Sequence, residues 1–208
     1  MRAVARGNGV RWVPRRAGRQ VVAEHYYDAA MTILARDGAA GLKIGPLCRA
    51  LGVTSGSFYH HFNGWAGFVR GLLRYWEAEQ TDRVVELARA TADPIERMLV
   101  VKRLTVDLRH DAEAAIRAWA DSDPDVGSAQ RRVDHQRTNA LEQVVADVVG
   151  EGADAHRLAV LGISLMVGFQ QTCDPRDRDL LRALFDDYQR LILSYAPAHT
   201  PDVTPPIG

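Results

Sequence analysis

From Gln20 to Arg36 the apolar positions Val22, Tyr26, Ala29, Ala30, Ile33 and Leu34 recur at intervals of three and four, the period of one helix face. Asp37-Gly38 is predicted to stop this helix, because glycine takes the left-handed conformation that closes a C-terminus. Two short helical pieces follow, Ile44–Leu51 and Ser55–His61, divided by Gly52-Val53-Thr54. A long helix is predicted from Gly64 to Ala90, carrying Phe68, Leu72, Tyr75, Trp76, Val84 and Leu87. Three Asp-Pro pairs, Asp93-Pro94, Asp123-Pro124 and Asp174-Pro175, read as helix starts. Aspartate accepts from the orphan amides of a first turn, and proline has no amide to leave unpaired there. They open helices over 94–109, 124–149 and 175–195; segments 111–121 and 153–172 bring the number to nine. No strand-like alternation competes, so the fold class is all-α.

Composition changes this picture in one respect. The chain has 208 residues with 26 basic and 26 acidic side chains, yet residues 1–62 hold nine basic and only three acidic ones. A basic front on an acidic body suggests that the front meets a polyanion. Residues 1–18 mix Arg2, Arg6, Arg11, Arg15 and Arg16 with glycines and Pro14, and read as a flexible basic arm; residues 196–208, with four prolines, read as a loose tail. Cys48 and Cys173 are too far apart to suggest a disulfide framework or a zinc spacing. The longest uncharged stretch, Leu158 to Cys173, is too short and polar to span a bilayer, and no secretory segment is evident, so the cytoplasm is the expected compartment.

The two short helices joined at Gly52 form a helix-turn-helix candidate, supported by the helix before them and followed by the long one. Thr54 can cap the second short helix, and Gly56 lets its first turn approach another surface closely. Ser57, Tyr59, His60 and His61 supply hydrogen-bonding groups, while Phe58 and Phe62 supply buried anchors. Such a helix can set its N-terminal amides and hydroxyls against phosphates and its outer face in a major groove.

The run Val53-Thr54-Ser55-Gly56-Ser57-Phe58-Tyr59-His60-His61-Phe62, after Leu47-Cys48-Arg49-Ala50-Leu51-Gly52, resembles the N-terminal DNA-binding domain of the tetracycline-repressor (TetR) family over residues 20–72. The resemblance implies a helix-turn-helix DNA-binding domain over 19–63 and a helical effector-binding and dimerisation domain over 64–195. It implies a homodimeric transcription regulator, usually a repressor, released from a palindromic operator in double-stranded DNA by a small-molecule effector. By position, Thr54, Ser57, Tyr59 and His61 would contact phosphates, Ser55, Gly56 and His60 would lie nearest base edges, and Arg49 is a further phosphate candidate. The chain departs from the family pattern at Lys43, where a hydroxyl cap is usual, and at Ser55 and Trp65, where lysines are common. The domain is therefore less cationic than its relatives, and the arginine arm is expected to compensate by entering a minor groove.

In the body, Leu181, Leu184, Phe185, Tyr188, Leu191, Ile192 and Tyr195 make a broad apolar face, and Leu158, Leu161, Leu165, Gly168 and Phe169 another. Leu161, Leu165, Leu184, Tyr188, Leu191 and Tyr195 are the expected dimer contacts, two helices from each subunit forming a four-helix interface. Trp76, Met98, Val101, Thr105, Trp119, Met166 and Phe169 are candidate walls of a mostly apolar effector pocket. Arg137 interrupts the stripe Val126, Ala129, Val133, Ala140, Leu141, Val144 and Val148. It is either an anion contact in that pocket or a buried ion pair with Asp134, Asp107 or Glu113, and burial demands a partner in both cases. His110, His135 and His156 lack metal-ligand spacing and are expected at the solvated surface. No metal or other cofactor is expected.

No Glu-x-x-His pair, HExxH, G-x-S-x-G or phosphate-cradling glycine loop occurs, so the chain is not expected to be an enzyme. The alternatives to a ligand-responsive regulator are a helical small-molecule-binding protein or enzyme without sequence-specific DNA binding, and a constitutive DNA-binding protein without an effector.

Overall fold

The computed structural model describes residues 21–197, whose regular structure is entirely helical. The proposed arm at 1–18 and all but the first two residues of the proposed tail lie outside the described residues. In chain order the helices are α1 (Ala23–Gly41), α2 (Ile44–Leu51), α3 (Ser55–His61), α4 (Gly64–Glu77), a π-helical turn (Ala78–Asp82), α5 (Arg83–Arg89), α6 (Pro94–Val106), α7 (His110–Ala120), α8 (Pro124–Val149), α9 (Ala153–Thr172) and α10 (Arg178–Ser194). With α4, the π turn and α5 taken as one rod, nine helices are present among the described residues. No candidate membrane-spanning helix occurs among them.

The chain punctuates itself largely as its side chains dictate. Gly38 adopts φ 66°, breaking α1 where the Asp37-Gly38 stop is predicted, with a short helical continuation to Gly41. Gly52 closes α2 in the left-handed conformation at φ 66°, ψ 30°, and the Val53 amide returns to the Cys48 carbonyl at 2.9 Å. Asp93 accepts from the Glu96 amide and Asp123 from those of Asp125 and Val126, so both cap the helices that their prolines open.

Two starts differ from expectation. Asp174-Pro175 opens a turn, because the Asp174 carboxylate is engaged by the amide and guanidinium of Arg176; Asp177, accepting from the Leu180 amide, caps α10 instead. Thr54 holds the N-cap position of α3 with its backbone only, and its hydroxyl makes no cap bond. The predicted long helix also has an internal irregularity, the π turn at Ala78–Asp82.

Two apolar cores result. The first gathers Tyr26, Met31, Leu34, Leu47, Phe58, Phe62, Phe68, Leu72 and Trp76 from α1–α4 and their junctions, and continues through Ile116 of α7 to Val126 and Val133 of α8. The second joins Met98, Val145, Leu158, Met166, Leu181, Phe185 and Ile192 from α6, α8, α9 and α10. Helix α1 packs along α7, so the N-terminal helices rest on the body through a broad contact. Tyr75 of α4 adds a tie by donating to Asp28 of α1 at 2.7 Å.

Candidate nucleic-acid interface and effector cavity

Helix α3 is held by its aromatic residues. Phe58 is fully buried against Tyr26 and Phe68, with ring centroids 6.0 and 5.4 Å away, and Phe62 stands edge-on to Tyr26 and Phe68 at 5.3 and 5.1 Å. Anchoring these two residues turns the other side of a seven-residue helix outward. Tyr59 is 61% exposed, and Arg49, Thr54, Ser55, Gly56 and His60 are also exposed. Ser57 and His61 are half-buried: the Tyr26 hydroxyl donates to Ser57 Oγ at 2.8 Å, and the His61 ring lies 5.5 Å from that of Tyr26. The eight residues expected at DNA therefore lie on or beside one helix-turn-helix surface, with Ser57 and His61 at its edge. Cys48 beneath it is buried, donates its thiol to the Thr54 carbonyl, and has its pKa pushed up by burial.

The second feature is a cavity of about 150 Å³ bounded by the π turn, α5, α6, α8, α9 and α10. Five expected pocket residues, Met98, Val101, Thr105, Arg137 and Met166, line it. Trp76, Trp119 and Phe169 do not. Trp76 and Trp119 pack in the first core, one turn short of the cavity along the α4–α5 rod and at the end of α7 respectively. Phe169 lies in the second core against the His110 ring. Tyr188, expected at the dimer interface, is 7% exposed and lines the cavity, its hydroxyl donating to the Leu158 carbonyl at 2.6 Å. Leu165 and Leu184 are half-buried against the second core, whereas Leu161, Leu191 and Tyr195 are exposed.

Arg137 is the hub between the cavity and the first core. Its guanidinium donates to both oxygens of Glu113 at 2.5 and 3.0 Å, to Thr81 Oγ1 at 3.0 Å and to the Gln80 carbonyl at 3.1 Å. Its partner is thus Glu113; Asp134 pairs instead with Arg117. Glu113 also accepts from Trp76 Nε1 and Gln170 Nε2. Burial pushes the Glu113 carboxyl up, but the Arg137 charge and the hydrogen bonds from Arg137 and Gln170 pull harder and hold it below the usual carboxylate range. His110 is fully buried beside this network, contrary to the expected solvated position; His135 and His156 are exposed. A carbonyl can only accept, so His110 Nε2 carries the proton donated to Thr105 at 2.9 Å, and Nδ1 accepts from Gln170 at 3.0 Å. Burial lowers the His110 pKa, against the opposing pull of Glu113.

Gln80 and Thr81 are missing from the sequence reading of the pocket. Their signal was available: Gln80 lies midway between Trp76 and Val84 at steps of four, a polar residue on an apolar stripe. The π turn presents both residues to Arg137, while Gln80 Oε1 accepts from the Arg109 amide at 3.2 Å. The Arg109 side chain in turn donates to Thr32 on α1 at 3.1 Å.

Residues 27–70 match the family described as bacterial regulatory proteins, tetR family. No curated protein matches the chain. A transcriptional regulator from Rhodococcus sp. RHA1 superposes with a TM-score of 0.70 at 18% identity, covering 85% of this chain and 98% of that one. The reduced form of E. coli NemR gives 0.68 at 16% identity, over 84% of this chain and 97% of its own. Bacillus subtilis FadR, a transcriptional regulator solved with stearoyl-CoA, gives 0.63 at 17% identity, over 84% and 99%. These three likenesses are of fold.

Proposed function

We propose, from the tetR-family DNA-binding domain that the chain carries in residues 27–70, a repressor that binds a palindromic operator as a homodimer and is released by a small, mostly apolar effector. The family domain makes the chain a DNA-binding transcriptional regulator and not an enzyme. The observation that carries the finer reading is the shared rod. Phe68 on α4 packs against Phe58 and Phe62 beneath the DNA-facing helix, and the same rod continues through the π turn into the cavity wall at Gln80, Thr81, Val84 and Val85. A guest that shifts α5 or the π turn acts on the element under α3.

Response to a ligand is supported by the likeness to FadR, whose structure holds stearoyl-CoA. The cavity in this chain, about 150 Å³, suits a smaller guest, near the size at which an apolar protein cavity holds benzene. Exposed Leu161 and Val160 on α9 and Leu180, Leu191 and Leu193 on α10 offer an apolar surface for a second copy. A dimer would set the distance between two α3 helices, and that distance selects the spacing of half-sites.

Selection of the purified protein against random duplex DNA at physiological salt tests the reading. The expected product is a palindrome with half-sites about one helical turn or slightly more apart. Unpatterned DNA, lost at modest salt, would overturn it. Linkage tests the effector: a releasing ligand must bind DNA-bound protein more weakly by the same factor by which it weakens DNA binding. Equal ligand affinity for free and DNA-bound protein would sink the release mechanism.

A further inference from the structure

The cavity wall contains Arg89, Arg97, Lys102 and Arg137 and no carboxylate. By composition this is an anion receptor, but the carboxylates stand one layer behind. Glu113 holds Arg137, whose side chain is 8% exposed. Asp186 accepts from Lys102 Nζ at 2.8 Å, and Gln189 Oε1 takes a further Lys102 donor. Asp147 pairs with Arg97, which also donates to the Thr91 and Ala92 carbonyls. Arg89 is exposed, where solvent and salt screen it. Between these groups the wall is Val84, Val85, Met98, Val101, Leu141 and Met166.

We infer that the cavity selects uncharged molecules, and that Glu113, acting through Arg137, is the residue that makes it reject carboxylates. The inference rests on the cavity being the effector site and adds the charge class of its guest. An anion entering would have to give up its hydration and find cations that, apart from exposed Arg89, are already paired with carboxylates. Arg137 spends its Nε and both terminal nitrogens on Thr81, Gln80 and Glu113. Taking a charge out of water without a free partner is the costly case. A cation fares no better, meeting four positive side chains and no acceptor charge on the wall itself. A neutral guest needs only dispersion contacts with the aliphatic wall and one hydrogen bond, for which the Thr105 hydroxyl is placed on the lining.

Benzyl alcohol, benzoate and benzylamine differ chiefly in head-group charge and test this directly. Methionine methyl resonances supply a local readout in the full chain: Met98 and Met166 line the cavity, while Met31 sits in the first core as a reporter of the fold. Benzyl alcohol should shift the Met98 and Met166 signals, with both charged probes weaker by about tenfold or more. In Glu113→Gln, which preserves shape and frees the Arg137 charge, benzoate should gain about tenfold and close most or all of its gap to benzyl alcohol. Asp186→Asn, at a half-exposed carboxylate, should raise benzoate affinity through Lys102 and tests the charge class of the guest if Glu113→Gln loses the Met31 signal. Benzoate binding the wild type as tightly as benzyl alcohol, or unchanged benzoate affinity in a folded variant, would overturn the inference. Failure of all three probes to move Met98 and Met166 would overturn it together with the cavity as a binding site. Binding of benzyl alcohol without weaker DNA binding leaves the charge selectivity standing and counts against release by ligand alone.

Discussion

Gly56 and His110 show how differently two residues can be constrained. A Cβ added at Gly56 would meet only Thr54 Oγ1, at 3.6 Å, so the folded protein has room for a side chain. The proposed reason for glycine lies outside the chain, in the close approach to DNA proposed for α3. Gly56→Ala should leave the melting temperature unchanged or slightly higher, since alanine is the better helix former, yet weaken operator binding by about tenfold or more. Tyr59→Phe should weaken all DNA sequences alike, as loss of a phosphate contact does, whereas His60→Ala should change the preference among operators. Competition binding against a small operator panel separates the two; the reverse pattern would show that the contacts are misassigned.

His110 is set by the interior. Its folded pKa is lowered by burial, so between that value and about 6.5 the unfolded chain binds a proton that the folded chain does not. Stability therefore rises with pH in that window and is lost as pH falls from 7 through it, by up to about 1.4 kcal/mol per pH unit. Glu113 contributes with the same sign but lower down: its depressed pKa stabilises the fold above the usual carboxylate range, and that contribution is lost only as pH falls through its folded value. Urea unfolding at pH 7, 6 and 5 should show the loss, and His110→Phe should flatten the slope whatever it does to absolute stability. An equally steep slope in the variant would assign the dependence to other groups.

At the scale of elements, caps and the π turn determine where helices begin and how they face. Of the three Asp-Pro pairs, two cap helices and the third does not, because Asp174 is taken by Arg176 and the α10 amides are left to Asp177. Asp177→Ala should cost about 1 kcal/mol of stability, while Asp174→Ala, which removes an exposed ion pair and an exposed bond from the Arg176 amide, should change the unfolding midpoint less. Equal losses would mean that both carboxylates contribute to capping. The π turn matters for a different reason. A π turn is one residue wider than an α turn, and here it sets Thr81 inward and the Gln80 carbonyl toward Arg137 while flanking helices keep their own faces. Helix period alone predicts a continuous rod over 64–90, since polar residues in the middle of a stripe do not reveal whether the backbone widens to accommodate them.

At the scale of the molecule, the N-terminal helices and the body share a core, so α3 and the cavity belong to one packed structure. The proposed dimer can be tested without disturbing that core, because Leu161 is 44% and Leu191 37% exposed. Leu161→Glu with Leu191→Glu should leave helicity intact and halve the mass in sedimentation. Operator affinity should fall by roughly a hundredfold, as one half-site is lost from a linked pair. A monomeric wild type would overturn the dimer, and a dimeric double variant would place its interface elsewhere.

What the sequence by itself determined is what local rules can express. The helical period, the glycine stops at Gly38 and Gly52, two of the three Asp-Pro caps and the motif from Gly52 to Phe62 are written within short windows, so the all-α class and the position of the helix-turn-helix are legible from residues alone. What only the tertiary structure decided is which face meets which. Tyr188 turns inward, Trp76 falls one turn short of the cavity, His110 is buried, and Arg137 chooses Glu113, 24 positions away, over nearby Asp134. Each of these depends on how helices distant in sequence rotate against one another. A stripe at a period of three and four states that a face is covered, but not by what, and a buried charge states only that a partner exists.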